Sequence, residues 1–168
     1  MPTNFIDRIV QWQPFFITVA TVAGTLVGLL FISLSINREA IVGNHVQFRL
    51  ARRSFSDFIF ILLISLFFLI PLQGGFHLAF ELWGIGILKA KVVLTQMREA
   101  RGGERASWWH LACEYVLPVL SIAGLAVGGW RIYDEHLLGI YYFIVPVIAT
   151  LLATACSNAW RLLIMEKK

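Results

Sequence analysis

The chain has 168 residues, of which 58% are hydrophobic and only 14% are charged, whereas soluble domains carry about 25% charged residues. A soluble core of this length could not bury so much apolar surface, so the composition excludes an ordinary soluble domain and indicates an integral membrane protein. The net charge of +4 does not indicate nucleic-acid binding, because the basic residues are spread over several loops, as the positive-inside rule for membrane proteins explains.

The first apolar segment begins after Asp7 and Arg8 and continues without a charge over about residues 14–36. It is too long for a secretory signal peptide and lacks a small-residue cleavage site before charged mature sequence. We therefore predict a first membrane helix that is retained.

Five apolar segments predict helices, over about residues 14–36, 55–72, 75–96, 108–130 and 137–164. Together they predict an all-α membrane bundle that occupies residues 1–168 as a single domain. The sequence Pro71-Leu72-Gln73-Gly74-Gly75 contains turn formers and helix breakers, so it predicts a break between the second and third helices. Ser54 followed by Asp57 is typical of a capping box, which predicts that the second helix starts there, at the inner membrane interface.

The distribution of positive charge predicts the orientation. With five spans and the N-terminus outside, only Arg8 and Arg131 of the 14 Lys and Arg residues lie outside. With four spans, the two large basic loops would face opposite sides of the membrane, against the positive-inside rule. We therefore predict five transmembrane helices, an external N-terminus and a cytoplasmic C-terminus.

One segment resembles a known group of proteins. The stretch from Ala23 to Asn37, AGTLVGLLFISLSIN, is similar to the first helix of a loose group of small uncharacterised bacterial multispanning membrane proteins. Those proteins have Pro-Gly-Gln at an external turn, where this chain has Pro71-Leu72-Gln73-Gly74-Gly75. The resemblance implies a prokaryotic origin and several spans, and it implies no activity. We predict a location in the bacterial inner membrane.

Two copies of a His-Leu-Ala-x-Glu pattern lie in the predicted third and fourth helices, at His77–Glu81 and His110–Glu114. The spacing puts each His and Glu on one helix face. Because these helices cross the membrane in opposite directions, each His lies towards a different surface and each Glu towards the middle. Ionisable residues within a membrane are costly and are usually functional, so one hypothesis is a proton or cation pathway through Glu81 and Glu114.

Other interpretations of these residues stay open. Both Glu side chains can be protonated or paired groups that only fix helix packing. A metal site of two His and two Glu is disfavoured by the separation of the two carboxylates across the membrane. A haem bound by His77 with His136, or by His45 with His110, is disfavoured, because His45 and His136 lie in loops or at the edges of spans. We therefore predict no metal and no cofactor.

Rows of small residues indicate close helix contacts. Ala20, Gly24 and Gly28 lie four residues apart in the first helix, and Gly124 and Gly128 do so in the fourth. Such rows let helix backbones approach closely, either within one chain or between copies. Two cysteines, Cys113 and Cys156, lack metal-ligand spacing and are interpreted as packed thiols.

These observations predict a small non-enzymatic membrane protein. Its most specific form is a homo-oligomeric ion or proton pathway, and the alternative is an accessory subunit of a larger membrane complex. The chain has no nucleotide-binding, zinc-protease or Ser-His-Asp motif. The expected partners are the lipid bilayer, copies of the chain or other membrane subunits, and anionic lipids at Arg49, Arg52 and Arg53.

Overall fold

A computed structural model describes residues 5–36, 38, 43–71, 74–101, 108–134 and 139–165, of which residues 6–8, 45, 100, 101, 108–114 and 163–165 are described without their side chains. The described chain is all-helical and contains no β-strand, which confirms the all-α part of the predicted fold class. The helices, in chain order, are α1 (Phe5–Val10), α2 (Gln13–Ile36), α3 (His45–Phe68), α4 (Gly75–Arg101), α5 (Trp108–Tyr133) and α6 (Val145–Met165), the last preceded by a π-helical turn (Ile140–Ile144).

The chain divides into two compact units. Unit 1 comprises the chain up to Trp12 together with Ile70–Thr150, and unit 2 comprises Gln13–Leu69 together with the chain from Leu151. Helix α6 contributes its first residues to unit 1 and the rest to unit 2. As predicted, α3 and α4 are separate helices.

In unit 2, α2 and α3 pack in antiparallel directions. The ring of Phe16, near the start of α2, stacks on Phe68, at the end of α3, with ring centroids 4.0 Å apart. In the middle of the pair, a Cβ built on Gly24 would lie 3.5 Å from Leu62, an ordinary contact distance. At the other end, Leu34 packs against a cluster of Leu50, Ala51 and Leu162. The contacts therefore follow the whole length of α2.

The start of α3 differs from the prediction. Asn44 caps the helix, and its side-chain oxygen accepts hydrogen bonds from the backbone N–H groups of Val46 (3.0 Å) and Gln47 (3.4 Å). Asn is among the best N-cap residues, so α3 begins at His45, about ten residues before the predicted start. The predicted capping box is therefore wrong, because Ser54 and Asp57 lie in the helix interior.

In unit 1, α4 and α5 also run antiparallel. Gly75, the first residue of α4, lies against the carbonyl of Ile132, near the end of α5, and Gly86 faces Leu125. Between them, the indole N–H of Trp83 donates a hydrogen bond of 3.2 Å to the Ala126 carbonyl. A Cβ on Gly75 would lie 2.6 Å from the Ile132 oxygen, so only glycine permits this approach.

Helix α5 also packs against the π-helical turn and the start of α6. Gly124 faces Val147, and Gly128 faces Phe143 and Ile144. The π-helical turn ends at Ile144, two residues before Pro146, and the Val145 N–H donates a hydrogen bond to the Ile140 carbonyl. Because proline has no N–H and its ring crowds the preceding turn, a wider turn at this point accommodates it within a continuous helix.

Three helical segments of the described chain are long and apolar enough to cross a membrane, namely Gln13–Ile36, Tyr115–Tyr133 and Ile140–Leu162. Helix α2 buries few of its side chains and exposes large apolar ones such as Ile17, Leu29 and Ile32. A surface of this kind is unfavourable in water and favourable in lipid. The structure thus agrees with the composition in indicating a membrane protein.

Candidate functional site

The first predicted pair, His77 and Glu81, lies in the first two turns of α4. His77 is exposed, and its ring meets Phe76 edge-to-face with centroids 5.6 Å apart. Glu81 is half-buried and interacts with another group of the protein. The i, i+4 spacing on one helix is therefore as predicted, although only Glu81 is withdrawn from the surface.

The second predicted pair, His110 and Glu114, lies in the first two turns of α5. The side chains of both residues lie outside the described part of the chain. The relationship between Glu81 and Glu114 across the membrane therefore stays a prediction. Among the side chains that are described, no group of three His, Cys, Asp or Glu residues could hold a metal ion.

The predicted small-residue rows differ in their surroundings. Gly124 and Gly128 both lie in close contact within the chain, against the π-helical turn and α6. In the other row Ala20 is half-buried and Gly24 contacts Leu62, whereas a Cβ built on Gly28 would meet no atom within 4 Å. The row in α2 thus leaves open space at Gly28.

A group of buried polar side chains in unit 2 is the strongest candidate for a functional site. Arg53, Ser54 and Asp57 on α3 have exposed fractions of 8%, 0% and 3%. They share the buried face of α3 with apolar residues such as Ile61 and Ile64. We call Arg53, Ser54, Asp57 and the facing Thr154 of α6 the Asp57 site.

The hydrogen bond between Thr154 and Asp57 is a long one. The Thr154 hydroxyl donates a bond of 2.9 Å to the Leu151 carbonyl and lies 3.4 Å from an Asp57 carboxylate oxygen. A hydroxyl has one proton, which lies mainly in the shorter hydrogen bond to the Leu151 carbonyl. The hydrogen bond to the Asp57 carboxylate is therefore weak. Asp57 also has a further interaction with the protein. The carboxylate therefore lies within reach of a hydroxyl that binds it only weakly.

Ser54 is the exception among the buried hydroxyls of α3. Its Oγ is buried and has no hydrogen-bond partner in the described part of the chain. Ser65, on the same helix and equally buried, donates a bond of 2.9 Å to the Ile61 carbonyl. Buried polar atoms are nearly always hydrogen-bonded, and an exception often marks a place for a ligand, a water or a proton.

A second buried charge lies in unit 1. Lys89 is 2% exposed and follows Leu82 and Ile85 on the buried face of α4. Lysine is almost never fully buried without a partner, and Lys89 does interact with another group. The sequence prediction counted Lys89 among the charges at the cytoplasmic surface, whereas its side chain is enclosed by protein.

Sequence reasoning missed the Asp57 site because it placed Ser54 and Asp57 at the start of the second helix, at the inner membrane interface. The signal was present, since Leu50, Ser54, Asp57, Ile61 and Ile64 follow the three- and four-residue spacing of one helix face. No protein-family model, no curated protein and no solved structure matches this chain.

Proposed function

We propose that this chain is a non-enzymatic integral membrane protein in which Asp57 takes up and releases a proton in an ion pathway. The observation that supports this function is the Asp57 site, where a buried carboxylate is accompanied by a buried Ser54 hydroxyl without a partner. A carboxylate among apolar helices is costly, and such residues usually belong to ion or proton pathways.

The neighbours of Asp57 favour a proton over a metal cation. Arg53 lies one turn earlier on the same helix, and a guanidinium has no acceptor atom with which to coordinate a metal ion. Hydroxyls, in contrast, both donate and accept, so Thr154, whose hydroxyl lies 3.4 Å from the carboxylate, can pass a proton to or from Asp57, and the Ser54 hydroxyl can bond to a water beside it. The site thus has the groups that proton exchange requires and few of the ligands that a cation requires.

Glu81 and Glu114, with His77 and His110, are further candidates for the same pathway. Glu81 is half-buried within unit 1, which supports a role away from bulk water. A chain of 19.0 kDa has little room for an internal water path, so we propose that the pathway forms in a homo-oligomer.

We also propose five membrane spans, with the N-terminus outside and the C-terminus cytoplasmic, in a bacterial inner membrane. Helices α3 and α4 are the additional spans. Their support is the apolar outer surface of α4, where Phe76, Phe80 and Ile87 are each at least 60% exposed. The basic residues of each helix lie towards one of its ends, from which the exposed ones, such as Arg49 and Lys91, can reach the membrane surface.

The position of the link between α3 and α4 tests this topology. In a background with Cys113→Ser and Cys156→Ser, Gly74→Cys should react with a membrane-impermeant maleimide added to intact spheroplasts. A Cβ at Gly74 meets no atom within 4 Å, so the probe has room. As references, Asp134→Cys should react from outside and Gly43→Cys only after permeabilisation. Labelling of Gly74→Cys only after permeabilisation would instead favour the three spans of α2, α5 and α6.

Proton flux into liposomes tests the function. With a pH-sensitive dye enclosed, the wild-type protein should dissipate an imposed pH gradient, and Asp57→Asn should lower the rate by about tenfold or more because the amide cannot exchange the proton. Ser65→Ala is the matched control, because Ser65 is buried on the same helix but bonded to its own backbone. Glu81→Gln and Glu114→Gln test the other candidates. Unchanged flux in Asp57→Asn, or no flux in the wild type, would refute the proposal.

The alternative function is that of an accessory subunit in a larger membrane complex. The observation that favours it is the open space at Gly28, next to the exposed side chains of Leu29 and Ile32. A small residue within an apolar face can receive a helix of another protein. The mass and stoichiometry of the particle purified from its own membrane distinguish a homo-oligomer from a single copy bound to unrelated subunits.

A further inference from the structure

A groove in unit 2 lies between the end of α2 and the first half of α3. Its volume is about 360 Å³, which falls within the range of about 300–1,000 Å³ for ligand pockets. It is lined by Phe31, Leu34, Ser35, Arg38, Phe48, Ala51, Arg52 and Phe55. Ala51 is buried and packs with Leu34 in the cluster that includes Leu162. This part of the groove is therefore formed by residues of the hydrophobic core of unit 2.

The lining of the groove is apolar except at its two arginines. Phe31, Phe48 and Phe55 supply aromatic walls, and Phe31 is 62% exposed, as part of the apolar outer surface of α2. Arg38 and Arg52 are the charged lining residues, both exposed, and none of the described lining residues is acidic. The groove therefore joins a long apolar surface to two positive charges.

Two guanidinium groups beside one apolar groove match a particular ligand chemistry. Guanidinium binds phosphate with two parallel hydrogen bonds, and two such groups favour an anionic ligand over a zwitterionic one. Arg52 also interacts within the protein, but a guanidinium has five N–H donors and can bind a phosphate in addition. The aromatic walls, in turn, favour a ligand with a hydrocarbon chain.

We propose that this groove binds an anionic phospholipid, with the phosphate at Arg38 and Arg52 and one acyl chain along the aromatic walls. The proposal depends on a membrane location and is independent of the proton pathway. It changes the lipid contacts predicted from the sequence, which were Arg49, Arg52 and Arg53. Arg53 is 8% exposed, and Arg49, although exposed, does not line the groove.

Native mass spectrometry of the full chain tests the proposal. The protein is released from micelles that contain equal amounts of phosphatidylglycerol and phosphatidylcholine, and the lipids that stay bound are counted. The wild type should retain phosphatidylglycerol about fivefold more often or better, and the double variant Arg38→Gln, Arg52→Gln should reduce this preference to about one. Arg49→Gln is the matched control, and it should keep the preference. An equal loss in Arg49→Gln, or no preference in the wild type, overturns the proposal.

A second pair of variants separates a lipid from a soluble phosphate. Phe48→Gln removes an aromatic wall that is 47% exposed, and it should lower the occupancy of phosphatidylglycerol severalfold. Phe80→Gln, an exposed position on α4 in the other unit, should leave the occupancy unchanged. Glycerol phosphate added at millimolar concentration should fail to displace the lipid. If glycerol phosphate displaces it and Phe48→Gln has no effect, the groove is a site for a soluble phosphate, and the lipid proposal is wrong.

Discussion

The substitution Gly75→Ala should lower the free energy of unfolding by about 2–3 kcal/mol, the upper part of the range for overpacking a well-packed contact. A Cβ at this position would lie 2.6 Å from the carbonyl oxygen of Ile132 and 3.4 Å from the ring of Phe5. The carbonyl is a backbone atom, so it cannot rotate away as a side chain can, and α5 must shift relative to α4. Titration of the purified protein with sodium dodecyl sulfate in mixed micelles, followed by circular dichroism, measures the loss.

Gly84 provides the matched control on the same helix. A Cβ there would meet no atom within 4 Å, so Gly84→Ala should be neutral or should stabilise α4 by about 0.5–1 kcal/mol through the lower flexibility of alanine. Equal losses of stability in the two variants would show that the contact between Gly75 and Ile132 has no special role. Gly86→Ala, where the Cβ would lie 3.8 Å from Leu125, should resemble Gly84→Ala.

Most of the helices could be predicted from the sequence because their limits follow strong local signals. Helix α2 is a long uncharged run, and α4 begins at Gly75, after the Pro71 to Gly74 breakers. The start of α3 was missed because arginines were assigned to a loop. A helix at a membrane surface can carry arginine, since the long side chain reaches water while its stem covers apolar neighbours.

The contacts of small and polar residues could be predicted less well. Gly28 and Gly128 look alike in the sequence, yet Gly128 touches Phe143 and Ile144 while Gly28 has open space around it. The difference depends on which helix lies opposite, and no local pattern carries that information. The contact of Asp57 could not be predicted from a local pattern either, because the Thr154 hydroxyl that lies beside it is 97 residues away in the chain.

The substitution Asp57→Leu should destabilise the protein by about 3 kcal/mol or more, because it removes one of two opposite charges that are buried one helical turn apart. Arg53 precedes Asp57 by one helical turn and is also buried, and this is the spacing at which opposite charges on a helix attract. Without the carboxylate, the guanidinium remains largely enclosed and loses this opposite charge. The same detergent titration measures the loss, with Ser65→Ala as the control for a small change on the buried face of α3.

A double-mutant cycle then separates packing from proton transfer at the Asp57 site. If the two charges compensate one another, Arg53→Leu combined with Asp57→Leu should lose clearly less stability than the sum of the single variants, because no buried charge is left alone. Additive losses would mean that the two residues act separately. If it proves more stable than Asp57→Leu, the double variant is also the decisive sample for the flux assay. A double variant that folds and still dissipates the pH gradient at the wild-type rate would make Asp57 a packing residue, because its carboxylate would be dispensable for the transfer of protons.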